Sequence, residues 1–384
     1  MNSVAPDPAS LPLLDLGRLD AGARDRTAFL CELRSLAREI GFFYLAGHGV
    51  AAEENAKVLA IARRFFALPE ESKRAVAMVN SPHFRGYTEA GGEITRGARD
   101  WREQFDINSE REAVWRPGAP AWMRLQGPNQ WPESLPELRP ALLAWQSALT
   151  KVAVRLLGAF AEALGQNPDA FEPVYKGAPN QHIKIIRYPG RISADPSQQR
   201  DRIAGDPSQQ RDRIAGDPSQ QRDRNVTVSE QGVGPHKDSG LLTFVLQDSQ
   251  DGLEVEAQDG RWIKAQPRDN TFVVNIGELL ELASNGYLRA TVHRVVAPPP
   301  GAERLSAAFF LGARHDSTTP LLALPPALAA EARGPASDPD NPLFRHVGTN
   351  YLKGRLRSHP DVAKRHYADL TDAPDQREGM FRKS

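Results

Sequence analysis

The hydrophobic pattern of the chain changes after Gln181, and this change constrains the fold more than any other feature. Short runs of β-branched and aromatic residues, separated by Gly, Pro and Asp, replace the helical periodicity that precedes them. The runs predict strands at residues 182–188, 241–247, 252–257, 272–276, 291–296 and 306–311. Several short strands with such turns are typical of a β-sandwich or barrel.

The first half of the chain mixes helical and strand patterns. Apolar residues at helical spacing predict helices over about residues 25–40, 56–66 and 136–164, and an aromatic run predicts a strand at Phe42–Leu45. The predicted fold class is therefore α+β with a mainly β core. We expect an N-terminal region 1–125, a bracing helix region 126–178, a β core 179–315 and a C-terminal extension 316–384 that packs on the core.

A tandem repeat interrupts the predicted core. The 11-residue unit DPSQQRDRIAG begins at Asp195 and at Asp206, and recurs incompletely from Asp217 to Arg224. Each unit contains a proline, and the one isoleucine in each full unit cannot form an apolar seam along a helix. We therefore expect a polar, mobile loop insertion over residues 193–224, with a lid over the neighbouring strands as the alternative.

Charge and composition limit the partners of the chain. The 48 basic and 48 acidic residues cancel, so the basic field of a nucleic-acid binder is not expected and a small molecule is the expected ligand. No apolar run approaches the roughly 18 to 20 residues that span a bilayer, and the start of the sequence has no signal-peptide pattern, so we expect a cytoplasmic protein. The single cysteine, Cys31, is expected to be a small buried apolar residue.

Three residues have the types and spacing of metal ligands. His236 and Asp238 are two residues apart, and such residues on a strand or at its end point to the same face. His293 lies in a β-branched run that can pair with theirs. Two imidazoles and one carboxylate leave three positions open on an octahedral metal, as in non-haem Fe(II) oxygenases. A structural role for each histidine is the alternative, because a His-x-Asp pair alone is common by chance.

An arginine and a serine follow the second histidine on one predicted strand. Arg304, Ser306, Ala308 and Phe310 alternate along it and therefore share a face. A guanidinium can hold a carboxylate at two points while the serine hydroxyl adds a further hydrogen bond. An unpaired inward-facing arginine is energetically costly, so the sequence predicts either a bound carboxylate here or a pairing with a core acid.

These motifs, in this order, resemble the isopenicillin N synthase-like family of Fe(II)- and 2-oxoglutarate-dependent oxygenases. The resemblance covers most of the chain. It is carried by the blocks LPLLDL (11–16), GFFYLAGHGV (41–50), FFALPEESK (65–73), IRYP (186–189), TFVVNIGE (271–278) and SNGYLRATVHRV (284–295).

The resemblance implies a double-stranded β-helix, or jelly roll, with a helical N-terminal region packed against it. It implies His236, Asp238 and His293 as iron ligands, Arg304 and Ser306 as anchors of the distal carboxylate of 2-oxoglutarate, and Tyr188 as a supporting hydroxyl. Fe(II), the cosubstrate 2-oxoglutarate and dioxygen are the implied cofactors. The implied reaction is hydroxylation, desaturation or cyclisation of a small metabolite, with release of succinate and carbon dioxide.

The substrate contacts are predicted from the same resemblance. The family's N-terminal region lines the pocket, and Phe310 shares the inward face with Arg304. The predicted contacts are Phe84, Arg85, Tyr87, Phe105 and Phe310, with core packing as the alternative for each. His48 lies in a Gly-His-Gly turn and is expected to be structural.

Three other functions remain as alternatives. An oxidase of the same fold would use Arg304 and Ser306 to bind a carboxylate of the substrate and would need no 2-oxoglutarate. A binding or regulatory protein with this fold is expected to lack one of the three metal ligands, all of which are present. A structural zinc site is disfavoured, because such sites use cysteines and closed tetrahedral shells.

Overall fold

The structure is a computed structural model that describes residues 10–190, 231–336 and 341–371. The predicted insertion at residues 193–224 lies outside these ranges. The helices are α1 Ala23–Glu39, α2 Ala52–Phe66, α3 Glu70–Ala75, α4 Leu138–Ala163, α5 Glu172–Tyr175, α6 Glu278–Ala283, α7 Pro326–Ala329, α8 Val347–Ser358, α9 Pro360–His366 and α10 Ala368–Thr371. The strands are β1 Leu13–Asp15, β2 Phe42–Ala46, β3 Gly86–Thr88, β4 Ile94–Thr95, β5 Ala98–Arg99, β6 Glu103–Ile107, β7 Asn180–Pro189, β8 Gln231–His236, β9 Leu242–Gln247, β10 Leu253–Glu256, β11 Trp262–Lys264, β12 Phe272–Ile276, β13 His293–Val296 and β14 Glu303–Gly312.

The prediction for Cys31 is wrong, because this thiol is exposed on α1. The buried stripe of α1 runs through Phe29, Leu33 and Ala37 at intervals of four residues. Position 31 is two residues from both Phe29 and Leu33, so it falls on the opposite side of the helix.

The larger sheet has eight strands in the order β1-β2-β12-β9-β14-β7-β6-β3. β14 lies near its middle and pairs antiparallel with both β7 and β9. The register places Arg304 opposite Tyr188, Ser306 opposite Ile186 and Phe310 opposite His182. The alternating residues of β7 and β14 therefore share one face of the sheet.

The smaller sheet has four strands in the order β11-β10-β13-β8. Its residues Val255 and Val295 form one buried cluster with Tyr44 and Ile186 of the larger sheet. The two sheets therefore pack face to face. This two-layer arrangement with helices on the outside is consistent with a jelly-roll core.

Helices cover the outer face of the larger sheet. α2 and α4 pack on β7 and β14, and their apolar residues join the main hydrophobic core. α8 lies elsewhere, against the 3-10 helix Ala121–Leu125 and against β4. The inner face of the sheet carries the smaller apolar cluster, with Tyr44 and Ile186, together with buried polar side chains such as Lys184 and Arg304. In the described ranges, no helix combines the length and apolar character needed to cross a membrane.

Candidate metal and cosubstrate site

Three potential ligand atoms converge between the two sheets. β8 ends at His236 and β13 begins at His293, and these two residues are opposite each other in the antiparallel pair. The Nε2 atoms of both histidines lie 3.7 Å from Oδ1 of Asp238. The arrangement thus brings two imidazole nitrogens and one carboxylate oxygen to a single point.

Neither histidine directs an N–H group at the Asp238 carboxylate, because the backbone fixes the ring proton of each on Nδ1. Nδ1 of His236 lies 2.8 Å from the carbonyl oxygen of Gly234, and Nδ1 of His293 lies 3.2 Å from that of Thr291. A carbonyl only accepts, so each Nδ1 carries the proton and each Nε2 presents a lone pair. Burial and the neighbouring His293 lower the pKa of His236 to about 3. Two lone pairs and a carboxylate oxygen at this distance fit a bound divalent cation.

The carboxylate of Asp238 is held by its other oxygen. Oδ2 accepts hydrogen bonds from the Thr243 hydroxyl at 2.6 Å and from the Asn275 amide at 2.8 Å. These two residues are opposite each other on β9 and β12. Burial raises the pKa of Asp238, but the histidines and these hydrogen bonds outweigh it and hold the pKa below its usual value. The carboxylate is therefore ionised and oriented with Oδ1 towards the histidines.

The donor set leaves coordination positions open. No fourth His, Cys, Asp or Glu joins the cluster in the described parts of the chain. A closed structural zinc site would need that fourth protein ligand. Two imidazoles and one carboxylate with open positions suit Fe(II), which can then take further oxygen ligands.

Arg304 is a buried cation with neutral partners. It is 1% exposed, and it donates to the Ser306 hydroxyl at 3.1 Å and to the Gln247 amide oxygen at 2.9 Å. Its guanidinium lies 5.0 Å from the centre of the Tyr188 ring, and its Nε has no hydrogen-bond partner among the described residues. Burial lowers the pKa of Arg304. Such a guanidinium is stabilised when an anion binds to it.

A cavity of about 410 Å³ adjoins the metal cluster. Its lining includes His236 and Asp238, side chains of β7 and β14, and residues of α8. Arg304 and Ser306 lie outside this lining. Tyr188 lies near both regions, because its ring centre is 5.0 Å from the Arg304 guanidinium and it is among the groups that raise the pKa of Arg102, which lines the cavity.

Of the five predicted substrate contacts, the structure places only Phe310 in the cavity lining. Phe84 packs against the Tyr367 ring, and Arg85 donates to backbone carbonyls, including that of Leu125. Tyr87 donates to Glu103, and Phe105 packs against Phe65. Neighbouring residues on β6 point to opposite faces, so Phe105 faces the helices while the residues beside it face the interior. His48 is buried, with Nδ1 accepting from the amide of Val50, as its structural interpretation requires.

Sequence reasoning missed the charged residues that line the cavity. They include Glu93, Arg102, Lys184 and Arg355, together with the neutral His182. Alternation along β7, extended backwards from Tyr188, could have identified Lys184 and His182 as inward-facing. Arg355 carried no comparable signal, because it belongs to a helix whose position relative to the sheet is not encoded in any local pattern.

Two family models match the chain. The N-terminal model of non-haem dioxygenases in morphine synthesis matches residues 11–134, and the 2OG-Fe(II) oxygenase superfamily model matches residues 207–313. The first match covers most of the predicted N-terminal region. The second contains the cluster of His236, Asp238 and His293.

Relatives match the chain over most of its length. The 2-oxoglutarate-dependent dioxygenase frbJ of Dothideomycetidae sp. is 33% identical, with 93% of this chain and 91% of the relative covered. Homoarginine-6-hydroxylase 2-ODD-C23.1 of Arabidopsis thaliana is 31% identical, with 82% and 88% covered. A full-length protein of Neurospora crassa, solved in complex with alpha-KG and thymine, has a TM-score of 0.67 at 23% identity, with 92% and 100% covered.

Sequence and fold thus agree on one assignment. The two family matches lie in the expected order along the chain, and the relatives cover almost all of it. The chain belongs to the isopenicillin N synthase-like family of Fe(II)- and 2-oxoglutarate-dependent oxygenases, enzymes that use Fe(II), 2-oxoglutarate and dioxygen.

Proposed function

We propose that this enzyme binds Fe(II) through His236, Asp238 and His293 and hydroxylates a small-molecule metabolite. In the balanced reaction, the substrate C–H, 2-oxoglutarate and dioxygen give the C–OH product, succinate and carbon dioxide. Two imidazole lone pairs facing an ionised carboxylate support the metal assignment. When bound, Fe(II) supplies the site at which 2-oxoglutarate and dioxygen react.

We propose Arg304 and Ser306 as the anchor for the distal carboxylate of 2-oxoglutarate, with Tyr188 as the neighbouring hydroxyl. The supporting observation is the burial of the Arg304 guanidinium among neutral groups. An incoming carboxylate supplies the charge that the Ser306 hydroxyl and the Gln247 amide cannot. In this proposal the two packed sheets form a double-stranded β-helix, and the anchor site lies inside it.

Hydroxylation is favoured over desaturation and cyclisation by the named relatives. Four relatives, each 30% to 33% identical, are named as homoarginine-6-hydroxylases. The cavity of about 410 Å³ is of the size that binds a small molecule. We therefore propose a small-molecule substrate.

The test is succinate formation from 2-oxoglutarate by the Fe(II)-loaded enzyme in air, with and without a panel of small metabolites. We expect slow succinate release alone and faster release with a substrate. Oxidation of a substrate with no consumption of 2-oxoglutarate would contradict the proposal and would instead identify an oxidase that binds a substrate carboxylate at Arg304.

A further inference from the structure

The lining of the cavity carries more positive than negative side chains. Seven lining residues are cationic and three are acidic. The cationic ones are Arg96, Arg102, Lys184, Lys237, Lys353, Arg355 and Arg357, and the acidic ones are Glu93, Asp238 and Glu278. Because Asp238 faces the metal site, the balance that a substrate meets is still more positive.

Some of these cations are neutralised by carboxylates. Glu93 accepts from Lys184 at 3.0 Å and from Arg102 at 2.8 Å, and Lys237 pairs with Glu281 at 3.1 Å. Arg102 also lies 3.4 Å from the Asp100 carboxylate, so three carboxylates balance these three cations and leave little charge for a ligand. The recognition of a charged substrate must therefore come from other residues of the lining.

Arg355 lies in the cavity wall, and the carboxylate nearest to it, that of Asp106, is shared with Lys184 and His182. Its Nη2 lies 3.1 Å from both ring nitrogens of His182. Nη1 lies 3.5 Å from Oδ1 of Asp106, which is longer than the roughly 2.7 to 2.9 Å of a strong charged hydrogen bond. That oxygen already accepts from Nε2 of His182 at 2.7 Å.

The His182 imidazole adds no negative charge to balance Arg355. Burial and the Arg355 guanidinium lower the pKa of His182 to about 3, so the ring is neutral. The ring also stacks on Phe310, with centroids 5.1 Å apart. Arg355 is thus fixed against a rigid aromatic pair while its side chain remains 12% exposed.

A second arginine of α8, Arg357, also lines the cavity and also donates to a neutral group. Arg357 donates to the amide oxygen of Asn341 at 2.6 Å, which is a neutral acceptor. The lining also includes the apolar side chains of Ile186 and Phe310, and Phe310 stacks on the His182 ring that Arg355 contacts. The cavity therefore combines a cationic end with an apolar wall beside the metal site.

We propose that the substrate is a carboxylic acid whose carboxylate is bound by Arg355, with Arg357 beside it and its apolar body against Ile186 and Phe310. This inference rests on the proposed function, because it places the carbon to be oxidised at the metal cluster. A carboxylate fits better than a dianion, because the Arg355 guanidinium, which shares the Asp106 carboxylate with Lys184 and His182, offers at most one positive charge. A cationic substrate would instead have to pair with Glu278.

The test compares three ligands that share a skeleton and differ in charge: 3-phenylpropanoate, 3-phenylpropanamide and 3-phenylpropylamine. Binding to the full chain loaded with Mn(II) and saturating 2-oxoglutarate is measured by calorimetry. Saturation with 2-oxoglutarate keeps the probes away from Arg304. We expect the carboxylate to bind at least about tenfold more tightly than the amide or the amine.

Variants assign that preference to its residue. Arg355→Gln is expected to abolish the preference for the carboxylate, and Arg355→Lys to keep part of it. The matched control is Arg187→Gln, which removes the same charge from β7 but at a side chain paired with Glu103 and Glu303. We expect the control to keep the full preference.

Two results overturn the inference. One is equal binding of the carboxylate and the amide to the wild-type protein, including no detectable binding of either, or tighter binding of the amine. The other is a carboxylate preference that survives in Arg355→Gln. Failure of the proposed function is distinguishable, because in that case the wild-type protein binds neither Mn(II) nor 2-oxoglutarate before any probe is added.

Discussion

Arginine side chains lie near both ends of the inner face of β7 and β14, but in different surroundings. We call the end at Arg304 the cosubstrate end and the end near Arg355 of α8 the substrate end. At one end, Arg304 is buried among neutral partners on the sheet itself. At the other, Lys184 pairs with Glu93 on the sheet side, and Arg355 reaches the wall from α8. At the first end the hydrogen-bond partners of the cation are neutral, and at the second end most cations are paired with carboxylates.

We relate this difference to the two ligands, a cosubstrate that relatives share and a substrate that differs between them. A cosubstrate that many relatives share can be anchored by residues of the core strands, whose register is fixed by the hydrophobic pattern. A substrate that differs between members is recognised by groups on peripheral elements, which can change without disturbing the sheets. The proposed metal ligands His236 and Asp238 line the cavity at the second end.

Removing the carboxylate of the cluster is expected to have the largest effect, because both ends depend on the metal. Asp238→Ala should lower succinate formation at least about 100-fold, since even changes to outer-shell partners of a metal cost about 10- to 100-fold. Asp259→Ala is the matched control, because Asp259 is an exposed carboxylate that pairs with the exposed Arg261. Turnover by Asp238→Ala at the rate of this control would show that the cluster is not the iron site.

Arg304→Gln tests the cosubstrate end of the comparison. Truncating a buried, hydrogen-bonded charge partner costs roughly 2 to 5 kcal/mol, so KM for 2-oxoglutarate should rise about 30-fold or more. The same change at Arg187, which is paired with Glu303, should leave KM unchanged. An unaltered KM in Arg304→Gln would mean that the anchor holds something else.

Thr243→Val tests how strongly the hydrogen bond to Asp238 contributes to metal binding. The substitution keeps the shape of the side chain but removes the hydroxyl that donates to Oδ2 of Asp238. We expect metal affinity to fall about tenfold, the lower part of the range for outer-shell partners, in a titration with Mn(II). Thr271→Val, in which the lost hydroxyl contacts only the Arg268 carbonyl, provides the reference. Equal affinities in the two variants would contradict this role for Thr243.

The histidines at the substrate end predict a pH dependence of stability. Burial lowers the pKa of His182 to about 3 and that of His359 to about 4. The unfolded chain therefore binds more protons than the folded one below about pH 6.5. The free energy of unfolding should be fully retained above that pH and fall as the pH drops towards 5, by on the order of 1.4 kcal/mol per pH unit for each such histidine.

Urea unfolding between pH 5 and 8 measures this slope. His359→Gln is expected to be less stable than the wild type at pH 8 but to show a slope smaller by about one proton. Glu93 does not titrate in this pH range. The Lys184 and Arg102 charges outweigh burial and hold the pKa of its carboxyl well below the usual value. An identical slope in the two proteins would show that His359 is protonated when folded.

The metal cluster could be predicted because its geometry follows from local rules. Spacing by two residues puts His236 and Asp238 on one side, and the β-branched run around His293 predicted a strand that the structure pairs with β8. The shared face of Arg304 and Ser306 follows from the same alternation. The predicted strands of the core agree with β7, β9, β10, β12, β13 and β14 to within a few residues.

The substrate end could not be predicted because it depends on contacts between distant segments. Arg355 meets His182 across 173 residues, and no periodicity in the sequence specifies how α8 docks. The error for Phe105 has a different origin. The segment was identified correctly, but the aromatic residue was chosen, whereas Arg102 of the same segment lines the cavity. A shift of one residue on a strand reverses the face.

One measurement tests the separation of the two ends directly. It is the titration of 2-oxoglutarate into the Mn(II)-loaded wild type, Arg304→Gln and Arg355→Gln. We predict that Arg304→Gln weakens 2-oxoglutarate binding about 30-fold or more while Arg355→Gln keeps an affinity close to that of the wild type. Loss of 2-oxoglutarate binding in Arg355→Gln, with normal binding in Arg304→Gln, would contradict the assignment of the cosubstrate to the strand end and of the substrate to α8.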